Sequence, residues 1–162
     1  MNSIVVLDAS FVLKWVLNES DSSKALALLT EWASEGVVML APALLAYEAA
    51  NALYQHVRSG EFSADAARQS LTDVILKGLT FDFSSDLALS TRAMELADQY
   101  KLPAAYDAHY LALAEREGCE FWTADLKMWN AIRGKTDWVR WIGDYDSVDS
   151  DTSPNASDPN NA

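Results

Sequence analysis

"SIVVL" at positions 3–7 is a short, apolar, β-branched run that stops at Asp8. A run of that length and composition suits a buried strand better than a helix. The fold therefore turns on whether such runs recur and what separates them. "VVML" (37–40), "LTFDF" (79–83), "CEFWT" (119–123) and "WVRW" (138–141) repeat the signal. Between them lie helical segments. One follows Ser20 and ends at Gly36, and the next opens at Pro42, lasts to about Ser59 and is ended by Gly60. "FSADAARQSLTDVILKG" (62–78) predicts a helix to Lys77, and Ser84 or Ser85 caps another that reaches about Tyr100. A further helix starts at Pro103 and stops at Gly118, and a short one runs from Asp125 to about Arg133. The stop residues are of the types that end helices. Strands alternating with helices predict an α/β domain with a parallel sheet covered on both faces.

At 162 residues the chain supports one domain. Half of its residues are hydrophobic and 22% are charged, a globular composition. The single cysteine, Cys119, excludes an intrachain disulfide and a thiolate metal cluster. No apolar stretch approaches the ~20 residues of a membrane helix, which predicts a cytoplasmic, soluble protein. From Asp144 onward the sequence is rich in Asp, Ser, Asn and Pro and contains no Lys or Arg. It predicts one folded domain, 1–142, and a flexible acidic tail, 143–162. The net charge of −12 argues against tight non-specific nucleic-acid binding, and 12 basic against 19 acidic residues remain in positions 1 to 143.

Four acids stand out by position. Asp8 and Asp125 follow the first and fourth strand runs, the edge where parallel α/β sheets place their sites. Glu48 lies one to two turns into the second helix, bordering its apolar face, and Asp107 precedes the buried stripe of "AAYDAHYLALA" (104–114). Each has a plainer reading: Asp8 and Asp125 as helix caps, Asp107 as a first-turn acid, Glu48 as an edge residue. If they converge, each pair at ~5 Å repels by about 3 kcal/mol at an effective dielectric near 20. An oxygen-only, carboxylate-rich pocket without a central Lys or Arg suits Mg²⁺ or Mn²⁺.

"VVLDAS" around Asp8, "YEAANAL" around Glu48, "YDAHYLALA" around Asp107 and "FWTAD" ending in Asp125 together resemble the PIN-domain ribonucleases, in particular the VapC-type toxins of toxin-antitoxin pairs. The resemblance implies a PIN-like three-layer sandwich with a five-stranded parallel sheet in the order 3-2-1-4-5. It also implies RNA as substrate, a basic antitoxin as partner and a homodimer. Asp8, Glu48, Asp107 and Asp125 are then the expected catalytic, metal-holding residues. Ser10, Asn51, Thr123 and Asn130 are expected to support them from behind. A PIN-like domain that binds RNA or protein without cutting is the competing reading. Lys14, Arg92, Lys101, Lys127, Arg133 and Lys135 are candidate phosphate contacts.

Overall fold

The computed structural model describes residues 3–84 and 87–146. Its five strands are β1 (Ile4–Leu7), β2 (Val38–Pro42), β3 (Thr80–Asp82), β4 (Glu120–Thr123) and β5 (Val139–Trp141). They form one wholly parallel sheet in the order β3-β2-β1-β4-β5. The expected PIN-like α/β sheet is therefore observed. Strand order reverses between β1 and β4, and Asp8 N extends that ladder by donating to Trp122 O at 3.4 Å.

The helices are α1 (Ala9–Val12), α2 (Ser22–Glu35), α3 (Leu44–Arg58), α4 (Ala64–Gln69), α5 (Leu87–Tyr100), α6 (Ala108–Glu117) and α7 (Leu126–Ile132). Consecutive residues of β4 show why both sheet faces are covered. Phe121 stacks on Tyr110 of α6, with ring centroids 6.1 Å apart, whereas Trp122 packs edge-on against Phe11 of α1 and Trp32 of α2. Neighbouring strand residues point to opposite faces, so each face needs its own apolar layer. α6 passes against β1, β2 and β4 and buries Tyr110 through Ala114 almost completely. Gly118 ends it at φ +62°, a left-handed conformation suited to glycine, and lets Cys119 N donate back to Ala114 O at 3.1 Å.

Several element boundaries differ from expectation. Pro42 closes β2 instead of opening α3, because Ala43 N still donates to Asp82 O beside β3. The helix expected from Pro103 begins at Ala108. Lys101 adopts φ +55° after α5, and the chain closes its next turns only through Tyr106 O and Asp107 O. After α4 the backbone continues as a π-helical segment, Ser70–Leu76. α1 agrees with the reading of Asp8 as a helix cap, whereas no periodicity predicted the 3₁₀ turn Leu13–Trp15. Packing continues beyond β5: Ile142 is fully buried, and the Tyr145 hydroxyl donates to Glu31 at 2.9 Å. Most of the expected tail, 147–162, and the candidate cap Ser85 lie outside the described residues. Among the described residues, no helix is long and apolar enough to cross a membrane.

Candidate active site

The C-terminal ends of β1 and β4 diverge at the reversal of strand order, and a pocket of about 310 Å³ opens there. Asp8, Glu48, Asp107 and Asp125 all line it, together with Ser10, Asn51, Tyr110 and Met128. Four chain segments thus deliver one acid each. No Lys or Arg is among the lining residues. A larger cleft of about 730 Å³ lies at the opposite sheet edge, around Ser3, Cys119 and Trp138, and gathers none of these acids.

Asp8 is the most constrained member. It caps α1: its Oδ1 accepts from Phe11 N at 2.9 Å and from the Ser10 hydroxyl at 2.7 Å. Its Oδ2 accepts from the Thr123 hydroxyl. Burial nevertheless dominates those three bonds, and with Asp125 nearby it pushes the Asp8 carboxyl up to about 7. Thr123 is fully buried and its Oγ1 accepts from Asp125 N at 2.9 Å, so one hydroxyl ties the ends of β1 and β4 to both acids. Ser10 closes the same junction by accepting from Ala124 N at 3.0 Å.

Asp125 is also a cap: its Oδ1 accepts from Lys127 N at 2.8 Å and Met128 N at 3.2 Å. Asp107 differs, because its side chain makes no capping bond to α6. Burial, and after it the Asp125 charge, raise the pKa of its carboxylate. Glu48 accepts a hydrogen bond from the Tyr110 hydroxyl. Burial raises the Glu48 pKa, and the Asp107 charge adds to it against the Tyr110 bond. The same environment holds the Tyr110 phenol protonated, far above its ordinary range.

Tyr110 is the site residue that the sequence reading placed only in the core. The signal was present: a tyrosine on a buried stripe needs a partner for its hydroxyl, and Glu48 bordered an apolar face without one. Asn51 lines the pocket, but among the described residues its side chain makes no bond to Glu48. Asn130 is not brought to the site. It is exposed, because α7 turns Met128 and Ile132 inward and leaves the position between them facing solvent. Lys14 is buried, donates to Ser20 O at 2.8 Å and does not line the acid pocket. Arg92 is held by Glu95 and Glu115, and Lys101 by Asp98.

Among the described residues, no three acid, imidazole or thiol side chains stand close enough together to ligate one ion at once. The donor chemistry still fits a hard divalent cation. All four acids present oxygen, burial and then a neighbouring carboxylate raise the pKa values of Asp8, Glu48 and Asp107, and no Lys or Arg lines the pocket. Mg²⁺ characteristically takes one or two carboxylates and keeps several waters, a demand this pocket can meet without a tight three-ligand cluster.

Residues 5–134 match the PIN domain family. Ribonuclease VapC3 of Pyrobaculum aerophilum is 30% identical over 129 residues, spanning 76% of this chain and 91% of that protein. Among solved structures, PAE2754 from Pyrobaculum aerophilum has a TM-score of 0.64 at 22% identity, covering 88% of this chain and 93% of its own. VapBC2 from Rickettsia felis, bound to a DNA fragment from their promoter, has a TM-score of 0.58 at 15% identity, covering 85% and 98%. At those identities the two structures speak for the fold.

Proposed function

The chain belongs to the PIN-domain family, and from that membership we propose that it is a metal-dependent endoribonuclease, the toxin of a VapC-type pair. One observation carries the reading: four acids from four separate segments meet in a single pocket that has no lining cation. A fold does not keep such mutual repulsion without a compensating charge.

Asp8, Glu48, Asp107 and Asp125 would hold Mg²⁺ or Mn²⁺, directly or through water. When bound, such an ion supplies an activated water and offsets charge at the scissile phosphate. Thr123 and Ser10 hold the Asp8 carboxylate in one orientation, and Tyr110 does so for Glu48. Lys127, the second residue of α7 and two positions after Asp125, is the nearest exposed cation by sequence for the incoming backbone. The curated relative's ribonuclease name supports RNA as substrate. The acidic body suits a basic antitoxin by charge complementarity, and the VapBC2 neighbour supports a partner of that kind. We place the protein in the cytoplasm and expect a homodimer.

The test is cleavage of a tRNA and rRNA panel with Mg²⁺, Mn²⁺ or EDTA, beside Asp107→Asn. Discrete, metal-dependent cuts absent from the variant are expected. Intact RNA in every lane, with metal still bound by the wild type, would favour the non-cutting module instead.

A further inference from the structure

The solvent face of α3 carries Tyr47, Asn51, Tyr54 and Arg58 at spacings of four, three and four residues, which set them in one line along the helix. Tyr47 is 74% exposed and Tyr54 58%, although large aromatic side chains are usually buried well beyond that. The line is continuous with the acid pocket, because Asn51 is part of its lining. At the other side, Tyr54 borders an apolar groove between α3 and α4 with Leu53, Val57 and Ala67. The two rings are seven residues apart, a rise of about 10.5 Å. That matches roughly three stacked steps of a nucleic-acid strand at about 3.4 Å each.

Charge explains why aromatic groups are the important ones. Eight of the twelve Lys and Arg side chains are ion-paired to carboxylates. Among the described residues, Arg58, Lys127, Arg133 and Lys135 have no carboxylate partner, and Arg58 stands at the end of this line, 3.5 Å from Gln55 Oε1. With so few free cations on a chain of net charge −12, phosphate neutralisation cannot supply much affinity. Stacking of bases on aromatic rings needs no net positive charge.

We infer that the α3 line is the track for an unpaired stretch of RNA flanking the cut. Bases stack on Tyr47 and Tyr54, Asn51 meets a base edge or sugar at the pocket mouth, and Arg58 meets a phosphate. The inference rests on the ribonuclease reading and narrows its substrate to single-stranded segments, since a base in a duplex has both faces covered by its neighbours. A protein surface is a poorer match: phenol rings alternating with an amide and a guanidinium offer polar edges where a docked helix would seek aliphatic contact.

The experiment measures binding of a fluorescein-labelled, mixed-sequence single-stranded 15-mer RNA by anisotropy. Ca²⁺ replaces Mg²⁺ or Mn²⁺, and the proteins are full-length wild type, Tyr47→Ala/Tyr54→Ala and Tyr47→Phe/Tyr54→Phe. The alanine pair is expected to raise Kd about thirtyfold or more, while the phenylalanine pair stays within about threefold. A blunt duplex of the same sequence is expected to compete poorly. Both sites are exposed, so circular dichroism should show unchanged folding. Alanine variants that bind like wild type, phenylalanine variants that lose as much as alanine, equal competition by duplex, or no wild-type binding would each overturn the track. Unchanged RNA binding with a dimer turned to monomer in light scattering would overturn it too, in favour of a contact between copies. Wild-type cleavage in Mn²⁺ is scored separately. If the binding pattern holds and no RNA is cut, the nuclease reading fails while the track remains as a binding surface.

Discussion

Asp8 accepts three hydrogen bonds, yet its carboxyl is pushed up to about 7 by burial. An acid whose folded pKa exceeds its unfolded value near 3.8 binds more protons when folded. Its stabilising effect is therefore full below about pH 4 and is lost as pH rises towards 7. A rise from 3.8 to about 7 corresponds to on the order of 4 kcal/mol. Asp8→Asn keeps the shape and removes the charge. In EDTA its thermal midpoint is expected to match wild type near pH 4 and to exceed it by several degrees at pH 8, with cleavage abolished. A melting series across that range checks it, and a gap that fails to widen with pH refutes the burial argument. Tyr110→Phe probes the other constrained acid. Losing the hydroxyl from Glu48 is expected to lower kcat about ten- to a hundredfold while costing only about 1 kcal/mol of stability, read by single-turnover cleavage and urea melts.

At the scale of the element, two of the four acids have a second task and one does not. Asp125 caps α7 through Lys127 N and Met128 N, whereas the Asp107 side chain makes no capping bond to α6. Asp125→Ala is expected to lose both activity and about 1 kcal/mol of stability. Asp107→Ala should lose activity with no stability cost, and at neutral pH should relieve repulsion with Asp125. Paired denaturant titrations separate the two. The strand runs and the glycine stops were legible because they depend on local chemistry: β-branched residues favour extension, and left-handed turns favour glycine. The start of α6 and the turn after Asp8 were not. The local signal at Pro103 was outweighed by how the chain must leave α5, and residues 9–15 carry no periodicity that would show how the chain leaves β1.

For the molecule as a whole, a cation bound by the acid cluster should stabilise the folded state by mass action. Mn²⁺ is expected to raise the wild-type melting temperature relative to EDTA, and to do so far less for Asp107→Asn or Asp8→Asn. Differential scanning fluorimetry checks this with no RNA present. No shift in the wild type would remove the cation from the proposal.

The sequence by itself determined the α/β alternation, and the ordered set "VVLDAS", "YEAANAL", "YDAHYLALA" and "FWTAD" pointed to the strand order and to the four acids. Those features are carried by local propensity and by motif order, which need no coordinates. Only the tertiary structure decided which supporting residues reach the acids. Tyr110 comes from 62 positions away to bond Glu48, and Thr123 from 115 positions away to bond Asp8, while Asn130, only five residues from Asp125, faces solvent. Side-chain contacts between distant segments follow from how sheet and helices pack, and no periodicity along the chain encodes that distance.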